Sequence, residues 1–168
     1  SVSMFDVLAE WLAVPLLNHE GGSTPQRIGL AHPSIAPYGA FQPRTGSQLL
    51  ISIQSDREWR ALCRDVLDDD ALADDPRFAT NVARVQNREA TDALVAAAFA
   101  KMESHVALER LTQAGIAVAS VNDMEGLAHH PHLRRITVNT PGGAISLPAP
   151  GARFVGEVRR YGPVPALK

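Results

Sequence analysis

Cysteine is scarce in this sequence: Cys63 is the single one among 168 residues. One cysteine excludes an intrachain disulfide framework, and such scarcity is typical of proteins from the reducing cytoplasm. The sequence also lacks an apolar run near the roughly 18 residues that a membrane-spanning helix needs, and it does not open with a signal peptide. We therefore expect a soluble cytoplasmic protein with no membrane partner.

An excess of positive charge is missing as well. The sequence has 16 Lys and Arg against 18 Asp and Glu, which gives a formal net charge of -2. Nucleic-acid binding needs a basic face, so this balance predicts no nucleic-acid partner. Apolar residues at 45% and charged residues at 20% are ordinary globular values. The length allows one compact domain with its own core and is short for two.

The sequence contains no familiar active-site motif. It has no phosphate-binding glycine-rich loop, no nucleophile elbow and no paired-cysteine metal site. Three histidines, His129, His130 and His132, flank Pro131 at a predicted helix end. Zinc sites need ligands that converge tetrahedrally, usually from more than one segment, so we expect a solvated turn here and no metal.

The apolar periodicity predicts an α+β layout. A helix begins at Ser3, with Asp6 in the capping-box position, and we expect Pro15 to distort it late. Strand-like runs at 38–41 and 49–53 bracket turn residues and predict a hairpin whose second strand is buried. The later elements are helices at 87–102 and from Ser104, a strand at 116–121, a brief helix before Pro131, and strands at 136–139 and 144–147.

A second capping box, formed by Ser55 and Glu58, predicts the start of a helix that carries Cys63. We expect Cys63 to be a small buried apolar residue and not a catalytic thiol, because no histidine lies on that helix to activate it. The side chains expected to face inward are Trp59, Leu62, Cys63, Val66 and Leu67 here, and Leu94, Ala98 and Met102 on the helix at 87–102.

The loop at 29–38 is unusually apolar and rich in proline for an exposed connection. Loops that prolines fix just before a buried strand often line binding sites. His32 is the side chain in this loop that we single out as a candidate site residue. Its composition leaves two interpretations open: a site residue, or a histidine satisfied by a neighbouring carbonyl.

Read together, several segments resemble the C-terminal half of the family III CoA-transferases, also called the CaiB/BaiF group. They occur in the family's order and cover essentially the whole chain. The matching segments are VSMFD at 2–6, HPSIAPY at 32–38, REW at 57–59, DPRFATN at 75–81 with Arg84 and Arg88, AGIA at 114–117, HPHL at 130–133 and GPVPAL at 162–167.

The resemblance implies the small α+β domain of such an enzyme with flanking segments of its Rossmann-like large domain. Residues 1–28 would leave the large domain, 29–130 would form the small one, and 131–168 would be a hairpin and linker returning toward the large domain. The family forms homodimers whose chains interlock, so we expect the N-terminal half of the same protein and a second copy as partners. A start inside a helix and an end in a linker also favour a fragment.

The resemblance also implies chemistry. In the family an aspartate upstream of the VSLFD helix attacks the donor thioester, and an aspartyl-CoA intermediate then passes CoA to an acceptor acid. The matching aspartate would precede Ser1, so we expect no catalytic residue in this chain and no activity from it alone. Asp6 is interpreted as a cap. Acyl-CoA and a carboxylic acid are the expected ligands, with the coenzyme A thioester as substrate and no other cofactor.

The family closes a glycine-rich loop over the covalent intermediate and thereby shields it from water. The segment 29–33 aligns with this loop, which makes Gly29, Ala31, His32 and Pro33 the candidate substrate-binding residues. The loop departs from the family pattern, because it has one glycine where others have several and His32 where they have glutamine.

Two other functions remain open. The 2-methylacyl-CoA racemases share this fold and pattern, and they move an α-proton with an acid/base pair from upstream residues. A lone upstream aspartate, as opposed to a His/Asp pair, would separate a transferase from a racemase. The chain could also be a non-catalytic module that gates substrate or binds a partner.

Overall fold

A computed structural model describes residues 1–153, 155–156 and 159–165. The chain forms two compact units, Ser1–Val121 and Asn122–Lys168. Helices and small antiparallel sheets are mixed, as the α+β prediction requires. The sequence placed a division at 130/131, and the assignment of segments to the large and small domains of an enzyme stays a prediction. In the part of the chain that is described, no helix has the length and apolar character to cross a membrane.

The sheet of the first unit has three antiparallel strands, β1 (Tyr38–Phe41), β2 (Leu49–Ser52) and β3 (Ala117–Ser120), in the order β1-β2-β3. The predicted hairpin and the burial of its second strand are confirmed. Gly46 in its turn has φ 85°, and a Cβ there would lie 2.7 Å from the Cβ of Ser104. Only glycine meets both conditions without strain.

Four helices and a short 3₁₀ turn pack with this sheet. They are α3 (Asp56–Asp65), the 3₁₀ turn (Asp70–Ala73), α4 (Asn81–Gln86), α5 (Arg88–Phe99) and α6 (Ser104–Gln113). Their buried side chains form one hydrophobic core with the strands, and Ile51, Trp59 and Leu111 are fully buried in it. Burial of this apolar surface is the main force that holds the unit together.

The capping box at α3 is confirmed. Ser55 Oγ accepts from the Glu58 N–H at 3.2 Å, and Glu58 Oε2 accepts from the Ser55 N–H at 3.1 Å. Trp59, Leu62 and Cys63 are buried on the inner face of this helix. Desolvation raises the pKa of the Cys63 thiol to about 12, which keeps it protonated and unreactive at neutral pH. The interpretation of Cys63 as a buried apolar residue is therefore confirmed.

Two details of the next helices differ from prediction. The buried residues of α5 are Thr91, Val95 and Phe99, whereas Leu94 and Met102 only pack at the edge of the core. The face is rotated because Phe99 packs against Phe41, with ring centroids 5.7 Å apart and the rings tilted, and this contact places the larger side chain inward. Ser104 is not the cap of α6: Glu103 occupies that position, and Ser104 Oγ donates to Ser47 O at 3.1 Å.

The N-terminal segment forms two short helices, α1 (Met4–Trp11) and α2 (Ala13–Glu20), and neither has a buried residue. Ser3 Oγ accepts from the Asp6 N–H at 3.3 Å, so the predicted Ser3 cap is present, whereas the Asp6 side chain does not complete a capping box. The break falls at Leu12, earlier than predicted. Proline at position 15 has no N–H to donate to the carbonyl four residues back, and its ring crowds that carbonyl at Trp11.

The second unit contains α7 (Met124–Ala128) and a hairpin of β4 (Arg135–Thr140) and β5 (Gly143–Pro148). Asp123 caps α7 by accepting from the Gly126 N–H at 2.8 Å. These elements confirm the predicted brief helix and second hairpin. Of the GPVPAL segment, Ala166 and Leu167 lie outside the described residues, while Val164 N–H donates to Asn139 O at 2.9 Å.

Candidate functional site

The loop that enters β1 carries the four predicted site residues. Gly29 has φ 62°, a left-handed conformation that glycine adopts at no cost. Three residues later the His32 N–H donates to Tyr38 O at 3.3 Å, so the loop folds back on the start of the strand. Ala31 lies within 3.9 Å of a Cβ built on Gly39. The loop is thus packed against β1.

The imidazole of His32 has a defined orientation. The Ser34 N–H donates to His32 Nδ1 at 3.2 Å, with Ser34 Oγ at 3.3 Å from the same nitrogen. A ring nitrogen that accepts from a backbone N–H carries no proton, so in the neutral ring the hydrogen is on Nε2. The ring lies 5.4 Å from that of Tyr38. Its partner is a backbone N–H, and not the carbonyl that one interpretation of the sequence proposed.

Asn81, at the start of α4, both accepts a hydrogen bond from the backbone of this loop and donates one to it. Its Oδ1 accepts from the Ala36 N–H at 3.2 Å, and its Nδ2 donates to Ser34 O at 2.9 Å. One side-chain amide therefore satisfies a donor and an acceptor of a segment that has no secondary structure of its own.

Arg84 holds the end of the loop from inside the core. Its side chain is completely buried, Nε donates to Ala36 O at 2.7 Å, and Nη1 donates to Phe78 O at 2.8 Å. Nη2 donates to Asp56 Oδ1 at 3.0 Å, and the guanidinium lies 5.0 Å from the centre of the Trp59 ring. Burial lowers the pKa of Arg84, yet the carbonyls, the carboxylate and the aromatic face all favour the charged form.

Arg88 completes the set of side chains that hold the loop. Its Nη2 donates to His32 O at 2.7 Å and to Ile35 O at 2.9 Å, and lies 3.4 Å from Pro33 O. The sequence identified Arg84 and Arg88 only as parts of a resemblance and gave them no role. Asn81 and Arg84 lie on α4, whereas Arg88 is the first residue of α5, so no single helical period in the sequence links the three.

A cleft of about 320 Å³ lies between the loop and β1. Its lining residues are Ile28, Leu30, Ala31, Tyr38, Gly39, Ala40, Phe41, Gln48 and Asp92. Asp92 Oδ1 is buried, and no residue in the part of the chain that the structure describes forms a hydrogen bond with it. Burial raises the pKa of this carboxyl, and the charge of Arg88 opposes the shift. Of the predicted site residues, Ala31 lines the cleft, whereas Gly29, His32 and Pro33 are not among its lining residues.

The His129–His132 turn is exposed, as predicted. His129 Nδ1 lies 3.3 Å from Glu125 Oε1, and the rings of His130 and His132 are 5.4 Å apart. Among the residues that the structure describes, no group of three or more His, Cys, Asp or Glu side chains is arranged to hold a metal ion.

Comparison with known proteins assigns the chain to a class. The model of CoA-transferase family III matches residues 1–166. The chain belongs to CoA-transferase family III, and the resemblance stated from the sequence is confirmed.

Two curated relatives are CoA-transferases by name. An acyl-CoA transferase of Fusarium pseudograminearum is 34% identical over 140 residues, which cover 79% of this chain and 30% of that protein. An acetyl-CoA:oxalate CoA-transferase of Acetobacter aceti is 31% identical over 156 residues, which cover 92% of this chain and 40% of that protein. The chain therefore spans less than half the length of these relatives.

Solved structures show the same fold. A CAIB/BAIF family protein from Brucella suis superposes with a TM-score of 0.73 at 29% identity, over 92% of this chain and 40% of that one. Rv3272 from Mycobacterium tuberculosis gives a TM-score of 0.74 at 21% identity over the same shares, a likeness of fold alone.

Proposed function

We propose that this chain is the C-terminal part of a CoA-transferase and that it supplies the loop that covers the reacting groups. The observation that carries the proposal is the way the loop at 29–37 is held. Asn81, Arg84 and Arg88 fix its backbone, and the His32 ring is oriented with its Nε2–H as the remaining donor. A preorganised donor of this kind suits an oxygen on which negative charge develops.

The chemistry that we propose uses a carboxylate from outside these residues. An aspartate would attack the donor acyl-CoA at its carbonyl carbon, release the CoA thiolate and form a mixed anhydride. The thiolate would then attack the aspartyl carbonyl, release the donor acid and form the aspartyl-CoA thioester. An acceptor carboxylate would attack the aspartyl-CoA thioester, release the CoA thiolate and form a second mixed anhydride. The thiolate would then attack the acceptor's carbonyl carbon, which gives the new acyl-CoA and restores the aspartate. His32 Nε2–H would donate to the oxyanion of such a step.

Asp6 is not the nucleophile in this proposal. It lies in the first turn of an exposed helix whose cap, Ser3, accepts from the Asp6 backbone N–H. An acidic side chain in the first turn interacts favourably with the helix dipole, which explains it without chemistry.

Transfer is favoured over racemisation by the names of the relatives, which are CoA-transferases for oxalate, for succinate and glutarate, and for mesaconate. Small dicarboxylates are accordingly the acids that we propose as substrates. The N-terminal half of the protein and a second copy in an interlocked homodimer are the proposed partners, in the cytoplasm, with no cofactor besides the CoA thioester.

His32 is tested in the protein that also contains the sequence preceding Ser1. His32→Ala should lower transfer roughly ten- to a hundredfold, because one oxyanion donor is lost while the aspartate chemistry remains. It should also raise hydrolysis of the acyl-CoA, because a less ordered loop admits water. His105→Ala, at an exposed position on α6, is the matched control. Unchanged transfer and unchanged hydrolysis in His32→Ala would remove His32 from the site.

A further inference from the structure

One nitrogen of the Arg88 side chain, Nη2, contacts three backbone carbonyl oxygens of the loop. Nη2 is within 2.9 Å of both His32 O and Ile35 O and lies 3.4 Å from Pro33 O. Three carbonyls separated by at most three residues reach a single nitrogen only if the chain curls around it. Hydrogen bonds from a charged donor are roughly twice as strong as neutral ones, so this contact stabilises the curled conformation.

The hydrogen bonds that the Arg88 side chain donates within the described residues all go to the carbonyls of this loop. Asp92 lies one helical turn further along α5, yet among the described residues no ion pair joins Arg88 to a carboxylate. Arg88 Nη1 is buried and has no hydrogen-bond partner among the described residues. Arg77 differs: it forms an exposed pair with Asp75 at 2.6 Å and contacts no loop carbonyl at 32–35.

The curl has a direct consequence for His32. The His32 carbonyl is fixed by Arg88, and its N–H is fixed by Tyr38 O. The turn that results brings the Ser34 N–H to His32 Nδ1 at 3.2 Å. Pro33 restricts the backbone of His32 to extended conformations, so few other arrangements remain.

We infer that Arg88 is a positioning residue: it holds the loop in the turn that keeps the His32 imidazole in its Nε2–H tautomer. The use of that donor in catalysis rests on the proposed function, whereas the positioning itself does not. In the absence of Arg88, the loop carbonyls would turn to water and the Ser34 N–H would leave Nδ1. The ring would then sample both tautomers.

The test is spectroscopic and uses the 168-residue chain with ¹⁵N-labelled histidine, at concentrations where it is monodisperse. The unmodified chain should show the Nε2–H tautomer at His32. Arg88→Gln should give a mixture of tautomers and about ten- to a hundredfold faster exchange of the Ser34 amide hydrogen, as expected for loss of a hydrogen bond to a charged group. Arg88→Lys keeps the positive charge but lacks the planar guanidinium. Its tautomer mixture and Ser34 exchange rate should therefore lie between those of the unmodified chain and those of Arg88→Gln. Arg77→Gln should change neither readout.

Protection of the Ile51 amide in β2 reports whether each variant is folded. If Arg88→Gln is unfolded by that measure, the test uses Arg88→Lys in its place. An unchanged His32 tautomer and an unchanged Ser34 exchange rate in Arg88→Lys would then overturn the inference. A pure Nε2–H tautomer in folded Arg88→Gln, or a mixture in the unmodified chain, overturns it as well. Absence of CoA transfer in the complete enzyme would refute the proposed function and leave these spectra unaffected.

Discussion

The two tryptophans of the chain lie in helices of similar length, but one ring is buried and the other is exposed. Trp59 lies on α3 and is fully buried, whereas Trp11 lies on α1 and is 79% exposed. Both helices begin with a serine cap and carry an apolar stripe. In both segments the serine cap and the helical spacing of the apolar residues favour a helix. Whether the apolar stripe is buried depends on the elements that neighbour the helix in the fold.

The stripe of α3 meets strands and another helix, whereas that of α1 has no such cover within the described residues. Met4 and Phe5 are 82% and 79% exposed, and every residue of α2 is exposed. Exposed apolar surface of this extent marks an interaction site on a protein. We propose that the rest of the enzyme covers α1 and α2, while residues 36–121 carry a core of their own.

Among single substitutions, the largest expected difference comes from exchanging each tryptophan for alanine. Trp59→Ala removes a fully buried ring from the core and should lower the free energy of unfolding by about 3–5 kcal/mol. Trp11→Ala should change it by less than about 0.5 kcal/mol, because the ring is exposed. Urea unfolding followed by circular dichroism measures both. Equal losses would show that α1 packs as part of the same core.

Cys63 gives a pH-dependent form of the comparison. Burial raises the pKa of its thiol from an ordinary 9.0 to about 12 in the folded chain. The contribution of the protonated Cys63 thiol to the free energy of unfolding is complete below pH 9. It is lost between about pH 9 and 12, because in that range the thiol ionises in the unfolded chain and not in the folded one. The loss approaches about 1.4 kcal/mol per pH unit.

Cys63→Ala provides the control for this slope. The variant lacks the ionisable group, so its free energy of unfolding should fall less steeply above pH 9 than that of the unmodified chain. Parallel curves for the two proteins would contradict the burial of the thiol.

The smallest effect on stability is expected in the exposed region. Replacing Leu8 and Leu12 together with Glu should change the free energy of unfolding by less than about 1 kcal/mol, because both side chains are mostly exposed. The same change should suppress self-association, which light scattering measures as a function of concentration. Replacing the corresponding buried pair, Leu62 on α3 and Val66 at its C-cap, with Glu should prevent folding. An N-terminal double variant that unfolds would place α1 in the core.

Local signals in the sequence explain which elements could be predicted. The capping boxes, the Pro-Arg-Thr-Gly turn and the apolar periods act over a few residues, and they predicted α3, both hairpins and the cap of α1. The burial of Cys63 followed from the same period. The inward face of α5 was wrong by one position, because the contact of Phe99 with Phe41 joins residues that are distant in the sequence.

The candidate site was predictable only in part, for the same reason. The apolar, proline-rich composition of the loop indicated His32 as a candidate, and the resemblance then gave the loop a substrate-binding role. The three side chains that hold the loop act across 45 to 56 residues of sequence, and a polar residue on a helix gives no sign of which distant carbonyl it will meet. Such contacts follow from the tertiary fold, so the roles of Asn81, Arg84 and Arg88 emerged from the structure alone.

The central claim is that these residues hold and orient a loop for chemistry that another segment performs. It is tested most directly by incubating the purified 168-residue chain with acetyl-CoA and oxalate, and with succinyl-CoA and glutarate. Product formation is then followed by chromatography, and covalent CoA adducts by intact-protein mass spectrometry. We predict no transfer and no adduct. Turnover, or CoA bound to Asp6 or Asp92, would contradict the claim and place the nucleophile within this chain.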